Sequence, residues 1–332
     1  MRMRVAALGA AGCITAAGAP VAEFIFEQAP FASCHASTMV EARPGELLAA
    51  WFGGTGEGRP DVAVWGARKS GGQWSEPVEL AREPNIAAYN PVLFHSRDQT
   101  LWLYYKFGPN PTSWTAGRRS SRDGGATWSE LEHLPAGLYG PIKNKPLVLA
   151  DGTIVSGTSV ESYRSWSCWV ERSTNGGRTW TRHGPIVVPG EPHGIIQPAI
   201  VPLRKGRLRM FVRATERIGK ICYADSSDGG RTWTAARPTT LPNPNSGLDA
   251  VALRDGRILL VYNHTEKGRS PLNVAVSKDG ETWNMFLTLE SQPGEFSYPA
   301  IIQASGGNAH VTYTWQRRRI KHVEIPLAEI PH

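Results

Sequence analysis

Six residues, His35, Asn90, Lys145, Gln197, Asp249 and Tyr298, recur at intervals of roughly fifty residues, each just ahead of a short apolar run that opens with Pro or Ala. The runs are Ala36-Ser-Thr-Met-Val40, Pro91-Val-Leu-Phe94, Pro146-Leu-Val-Leu149, Pro198-Ala-Ile-Val201, Ala250-Val-Ala-Leu253 and Pro299-Ala-Ile-Ile302. All six preceding residues are polar or hydrogen-bonding. An imidazole that titrates near neutrality, a carboxylate, an amine, two amides and a phenol can move protons and hold hydroxyl groups. A second set follows one segment later in the repeats: Tyr104 and Lys106, Ser159 and Glu161, Arg213 and Glu216, Asn263 and His264, and Trp315. Asp61 enters on a loop in the first repeat, and Arg269 in the fifth. Acids, bases, two arginines and aromatic rings are the mixed lining of a sugar site, with ring faces for the pyranose and polar groups for its hydroxyls.

The elements that must position these residues are also repeated. Ser121-Arg-Asp-Gly-Gly-Ala-Thr-Trp128, Ser173-Thr-Asn-Gly-Gly-Arg-Thr-Trp180, Ser226-Ser-Asp-Gly-Gly-Arg-Thr-Trp233 and Ser277-Lys-Asp-Gly-Glu-Thr-Trp283 are four copies of one unit, and Ser70-Gly-Gly-Gln-Trp74 is a worn fifth. Each of the four full copies has an Asp or Asn able to bond its own backbone, glycine for positive φ, and a Trp to pin the turn. They are hairpin tips. A period of this size with several short strands per repeat is the signature of a β-propeller, in which each repeat is one four-stranded blade.

Within a repeat the order is inner strand, second strand, third strand, box turn and outer strand. Starts of inner strands and ends of second strands then share one face, and the box turns occupy the other. Five Trp-marked repeats leave only three strands for a sixth, between Ser297 and Ile325, and the alternating segment Glu23-Phe-Ile-Phe-Glu-Gln28 supplies its fourth. The expected fold is all-β, a six-bladed propeller of four-stranded antiparallel blades, as one domain over residues 23–332.

The box turns resemble the Asp boxes of the sialidase superfamily of six-bladed propellers, and the resemblance covers nearly the whole chain. It implies an exo-acting enzyme that removes a terminal acidic sugar. It places Tyr298, in Ser-Tyr-Pro-Ala, at the nucleophile, Asp61 at the acid/base, and Arg213 and Arg269 at the second and third arginines that grip the substrate carboxylate. Two positions depart from the pattern. The first arginine is absent, its place taken by Ser33-Cys-His-Ala-Ser37, and Gln197 stands where the family has the glutamate that assists the tyrosine.

His35 opens an alternative, since related Asp-box propellers act as lyases on rhamnose linked to glucuronate. There a cation such as Arg213 or Lys145 neutralises the uronate carboxylate while His35 or Tyr298 takes the neighbouring proton. A propeller that binds glycans without turning them over is a third reading. Lys145 and Asp249 also read as a structural ion pair across the channel, and Asn90 and Gln197 as further substrate contacts.

The 35 Gly, 25 Pro and 12 Trp suit tight turns and aromatic inter-blade packing. The net charge of +7 is scattered, and its one dense run, Arg317-Arg-Arg-Ile-Lys321, reads as a solvated sheet surface rather than a nucleic-acid site. Met1 to Ala22 reads as a secretory signal, with Leu8 to Cys13 resembling a lipoprotein site, so a secreted or periplasmic location follows. No stretch is apolar enough to span a membrane. The histidines lack metal-ligand spacing, no cofactor is implied, and the cysteines read as buried free thiols.

Overall fold

The computed structural model describes residues 18–332. The leader-like segment, including Cys13, lies almost wholly outside them. The described chain forms six antiparallel sheets of four or five strands, one per repeat, arranged as a propeller. Blade 1 runs Ser33–Arg43, Glu46–Gly54 and Ala63–Ser70, with Gln73–Trp74 and Val78–Ala81 both paired to its third strand. Blade 4, equally regular, runs Ile195–Pro202, Leu208–Ala214, Lys220–Ser226 and Arg237–Pro242. Blade 6 takes Phe296–Gln303, Ala309–Trp315 and Arg319–Ile325 from the C-terminal end. Its outer strand is Val21–Phe24, paired from Val21 with Glu324 to Phe24 with Lys321. The closing strand therefore starts two residues earlier and stops four residues sooner than the alternation of Glu23–Gln28 suggests.

The box turns work by side chain-to-backbone bonding. Ser121 Oγ donates to Asp123 Oδ1 at 2.7 Å and accepts from Gly125 N at 2.7 Å, while Asp123 accepts from Thr127 N at 2.9 Å. The set recurs at Ser226, Asp228, Gly230 and Thr232, and at Ser277, Asp279, Gly280 and Thr282. The last glycine is required twice over. Gly125 and Gly230 have φ of 85° and 84°, and a Cβ would lie 2.9 Å from Leu48 and 2.8 Å from Val155 of the preceding blade.

The core lies between neighbouring blades. Leu208, Met210 and Val212 of blade 4 pack with Val155 and Val170 of blade 3, while Val201 and Phe211 pack with Leu248 and Leu260 of blade 5. Alternate residues of each strand thus face opposite neighbours, so a blade is stable only in the ring.

Four inner strands carry a bulge with a residue in the left-handed region: Ala36 (φ 58°), Asn90 (40°), Gln197 (59°) and Tyr298 (51°). These inner strands begin earlier than the apolar runs, so the polar residues lie inside them, at the bulges, rather than before them. The first blade corrects the expected register. Its bulge residue is Ala36, and His35 precedes it, because this blade has Ala36-Ser37 where the other three have an X-Pro pair. Blades 3 and 5 have short inner strands, Leu147–Val148 and Asp249–Ala252, without this bulge.

Ring closure rests on a polar cluster. Glu23 accepts from His322 Nδ1 at 2.8 Å, from Trp74 Nε1 at 3.0 Å and from Lys69, and His322 bonds His310 at 3.0 Å. Burial opposes ionisation of Glu23, but the bonds from His322, Lys69 and Trp74 outweigh it and hold the carboxyl at about 2. Burial also lowers His310 to about 4. Both groups bind protons less readily folded than unfolded, so stability falls as pH drops, from His310 below about 6.5 and from Glu23 below about 4.5. We predict that Glu23→Gln lowers the Tm at pH 7 and flattens its decline between about pH 4.5 and 2. Parallel Tm-against-pH curves for wild type and variant would contradict this.

Candidate active site

Tyr298 sits at the bulge of the blade 6 inner strand, and the left-handed backbone turns its side chain toward its neighbours across the channel. Its hydroxyl oxygen accepts from Arg213 Nη1 at 2.8 Å and from Gln197 Nε2 at 3.1 Å. Gln197 occupies the equivalent bulge of blade 4, and Arg213 pairs with Ile196 beside it. Arg213 is buried and holds Asn245 Oδ1 at 2.8 Å through Nε. Among the described residues its guanidinium has no carboxylate partner.

Further cations surround the ring. The charged ends of Arg269 and Lys143 lie 5.7 Å from the Tyr298 ring centroid and that of Arg213 lies at 5.8 Å. Arg269 is oriented by Glu295 at 2.7 Å. The same carboxylate oxygen accepts from Arg317 Nε at 2.9 Å, and Arg317 also pairs with Glu57.

This corrects the reading of the Arg317–Lys321 run as solvated surface. Arg317 is half-buried at the mouth, and its carbonyl accepts from Cys34 N at 2.8 Å. Arg319 stacks 3.6 Å over Phe24, Lys321 bonds Glu290 at 2.6 Å, and only Arg318 and no other residue of the run is exposed. The signal was present in the register. The end of the second strand at Trp315 belongs to the mouth, and the hairpin that follows it belongs there too.

His35 packs against Tyr298 with ring centroids 4.2 Å apart and planes tilted by 48°, and it is 1% exposed. Its Nδ1 lies 2.9 Å from Thr314 Oγ1. Burial, then the charges of Arg317, Arg269, Arg213 and Lys143, push its pKa well below the ordinary range. Sealed from solvent and held toward its neutral form, it is a weakened proton acceptor.

The other polar residues named from the sequence hold blades together. Lys145 Nζ bonds Asp249 Oδ2 at 2.8 Å and Ala250 O at 3.0 Å, and Asp249 also accepts from Ile301 N at 2.9 Å. Asn90 Nδ2 bonds Ile142 O at 3.2 Å. These contacts join blades 3, 5 and 6, and blades 2 and 3. Asp61 stands on the exposed loop of blade 1, where Thr55 N and Thr55 Oγ1 each donate to its carboxylate at 2.8 Å and hold its pKa down.

Lys143 is not among the expected residues, because Lys145 precedes the Pro that marks the inner strand. Its amine is buried and bonds Asn144 Oδ1 at 2.9 Å, Leu248 O at 3.0 Å and Pro299 O. Burial lowers it to about 7. The segment leading to it is fixed from below by Lys106, which bonds Pro141 O at 2.7 Å, and by Glu171, which accepts from Tyr139 N and Gly140 N at 2.9 and 2.6 Å.

A family model described as "BNR repeat-like domain" matches residues 45–311. The chain belongs to this family. No curated protein matches it in sequence. Among solved structures, a protein of unknown function from Dyadobacter fermentans is 18% identical, with a TM-score of 0.76 over 92% of this chain and 98% of its own. The NanB sialidase from Streptococcus pneumoniae is 13% identical, with a TM-score of 0.75 over 93% and 71%. An intramolecular trans-sialidase from Ruminococcus gnavus, solved with oseltamivir carboxylate, is 14% identical, with a TM-score of 0.72 over 90% and 95%. This BNR propeller thus has the sialidase fold, as the boxes imply. No helix among the described residues is long and apolar enough to cross a membrane.

Cys34 adjoins His35 in sequence yet is 0% exposed, and burial raises its thiol pKa strongly. A thiol in that state is inert. Ellman's reagent is expected to count the same number of native-state thiols in wild type and in Cys34→Ser. A native count lower by one in the variant would place Cys34 at an open surface.

Proposed function

We propose that this BNR propeller is an exo-acting enzyme that cleaves a terminal, carboxylate-bearing sugar from a glycan, sialidase-like in its site. The observation that carries the reading is Arg213: a buried guanidinium with neutral partners only, bonded to the phenol oxygen of Tyr298. An unpaired buried charge is costly, and a substrate carboxylate would compensate it in two parallel bonds. Arg269 lies on the same ring and extends the cationic pocket. The solved sialidases that share the fold support the same substrate class.

In this reading Tyr298 is the reacting group. Its oxygen receives two N–H donors, and its attack at the anomeric carbon, with the phenol proton passing to solvent, would form a glycosyl-enzyme that water then resolves. Gln197 donates here and accepts no proton, so an amide and a guanidinium, rather than a carboxylate, adjoin the phenol oxygen.

That same feature favours a second reading, elimination from a uronate-linked sugar. The Tyr298 ring stands beside Arg213, Arg269 and Lys143, groups that neutralise a uronate carboxylate. Tyr298, its own proton first passed to solvent, then takes the ring proton next to the carboxylate, in place of His35, whose ring is buried and whose basicity is lowered. The C–H electrons form the double bond, and the C–O pair leaves with the departing sugar.

Turnover of a chromogenic sialoside and of a rhamnose–glucuronate glycan tests both routes. Dye release reports hydrolysis and an ultraviolet-absorbing unsaturated product reports elimination. In either case Tyr298→Phe is expected to cost about 10²–10⁴-fold in kcat. Full activity in Tyr298→Phe would refute the assignment, and glycan retention without turnover by the wild type would make the protein a binding module.

A further inference from the structure

Breaking a glycosidic bond by either route leaves an alkoxide that needs a proton, so the site requires an acid in its protonated form. Of the carboxyl groups at the mouth, Glu57, Glu295, Asp61 and Asp249 are engaged. Glu57 pairs with Arg317, Glu295 accepts from Arg269 and Arg317 at 2.7 and 2.9 Å, and Asp61 has each of its two oxygens bonded to Thr55 at 2.8 Å. Glu161 and Glu216 have no hydrogen-bond or ion-pair partner among the described residues, and of the two Glu216 is exposed whereas Glu161 is half-buried.

Its place follows from the strand. Glu161 ends the second strand of blade 3, Ile154–Glu161, on the face of the propeller where second strands end. Ser159, two residues earlier, accepts from Gln197 N at 3.3 Å, and Gln197 in turn donates to the Tyr298 hydroxyl. Residues two apart in a strand share a face about 7 Å apart along it. Glu161 therefore projects on the Gln197 side, one step further toward solvent than Ser159.

We propose, resting on the reading of Tyr298 and Arg213 above, that Glu161 is the proton donor to the departing glycosidic oxygen. As the C–O bond breaks, its electron pair stays on that oxygen, which takes the Glu161 proton. In hydrolysis the resulting carboxylate recovers a proton from the attacking water. In elimination the proton taken by Tyr298 is released to solvent, and Glu161 is reprotonated from solvent.

Two surroundings fit this role. Burial and the nearby charge of Glu57 raise the Glu161 pKa against the opposing pull of Arg213, so the acid form persists further toward neutrality than for an exposed glutamate. The hairpin that follows presents Tyr163, 89% exposed, and brings Trp166 within 6.5 Å of the His193 ring, which offers aromatic faces to the leaving sugar where the acid must meet it.

The test is the leaving-group dependence of Glu161→Gln in the full chain. Two substrates carry the same acidic sugar, one on a nitrophenol and one on a sugar alcohol. The variant is expected to lose about 10²–10⁴-fold in kcat/KM on the sugar alcohol and less than about tenfold on the nitrophenol, which departs without a proton. The basic limb of the kcat/KM–pH profile should disappear with it. Asp61→Asn is the control and should show no such split. Equal losses on both leaving groups in Glu161→Gln, or the split appearing in Asp61→Asn instead, would overturn the assignment while an inactive Tyr298→Phe left the underlying reading standing. Full activity in Tyr298→Phe would remove that reading and this inference together.

Discussion

The junction between the first and last blades is the constraint on which the site depends. Among the described residues it holds no disulfide. The outer strand Val21–Phe24 pairs with Arg319–Ile325, the Arg317 carbonyl accepts from Cys34 N, and Thr314 Oγ1 bonds both His35 and the backbone of Ala36. The apolar faces of each blade pack on its neighbours, and His35 of blade 1 meets Tyr298 of blade 6 because the ring shuts at this seam. The seam also places Arg317 beside Glu57 and Glu295.

The electrostatics of the mouth follow from that closure. Arg213, Arg269, Arg317 and Lys143 all act on His35, and their charges together with burial keep it neutral. Glu295 and Glu57 answer Arg269 and Arg317, whereas Arg213 is answered by amides and a phenol. Such an imbalance is the arrangement expected of a site that completes its charge with an anionic ligand. The box face differs in kind. Its grooves are lined by turn residues such as Ser277 and Asp279, whose polar groups are spent on their own backbone.

Much of this was legible in the sequence because a propeller repeats its register. The Trp-marked boxes gave the blade count, and the X-Pro pairs put Asn90, Gln197 and Tyr298 at equivalent bulges. Where the pair is missing the register slipped by one, so His35 stood in for Ala36. Arg317 was hidden by composition, since a run of four basic residues in five looks like a solvated strand, and only a hairpin across the blade junction turns one of them inward. Lys143 was hidden by its neighbour. A carboxyl such as Glu161 is distinguished from Asp61 only by what does and does not bond it, which no spacing reveals.

Recognition of the sugar carboxylate is the central claim, and calorimetric titration of the protein with an acidic monosaccharide and with its methyl ester tests it most directly. The account predicts that N-acetylneuraminate or glucuronate binds at least about tenfold more tightly than the corresponding ester, a difference of about 1.4 kcal/mol, and that Arg213→Gln erases the preference. Equal affinity for acid and ester in the wild type would contradict it.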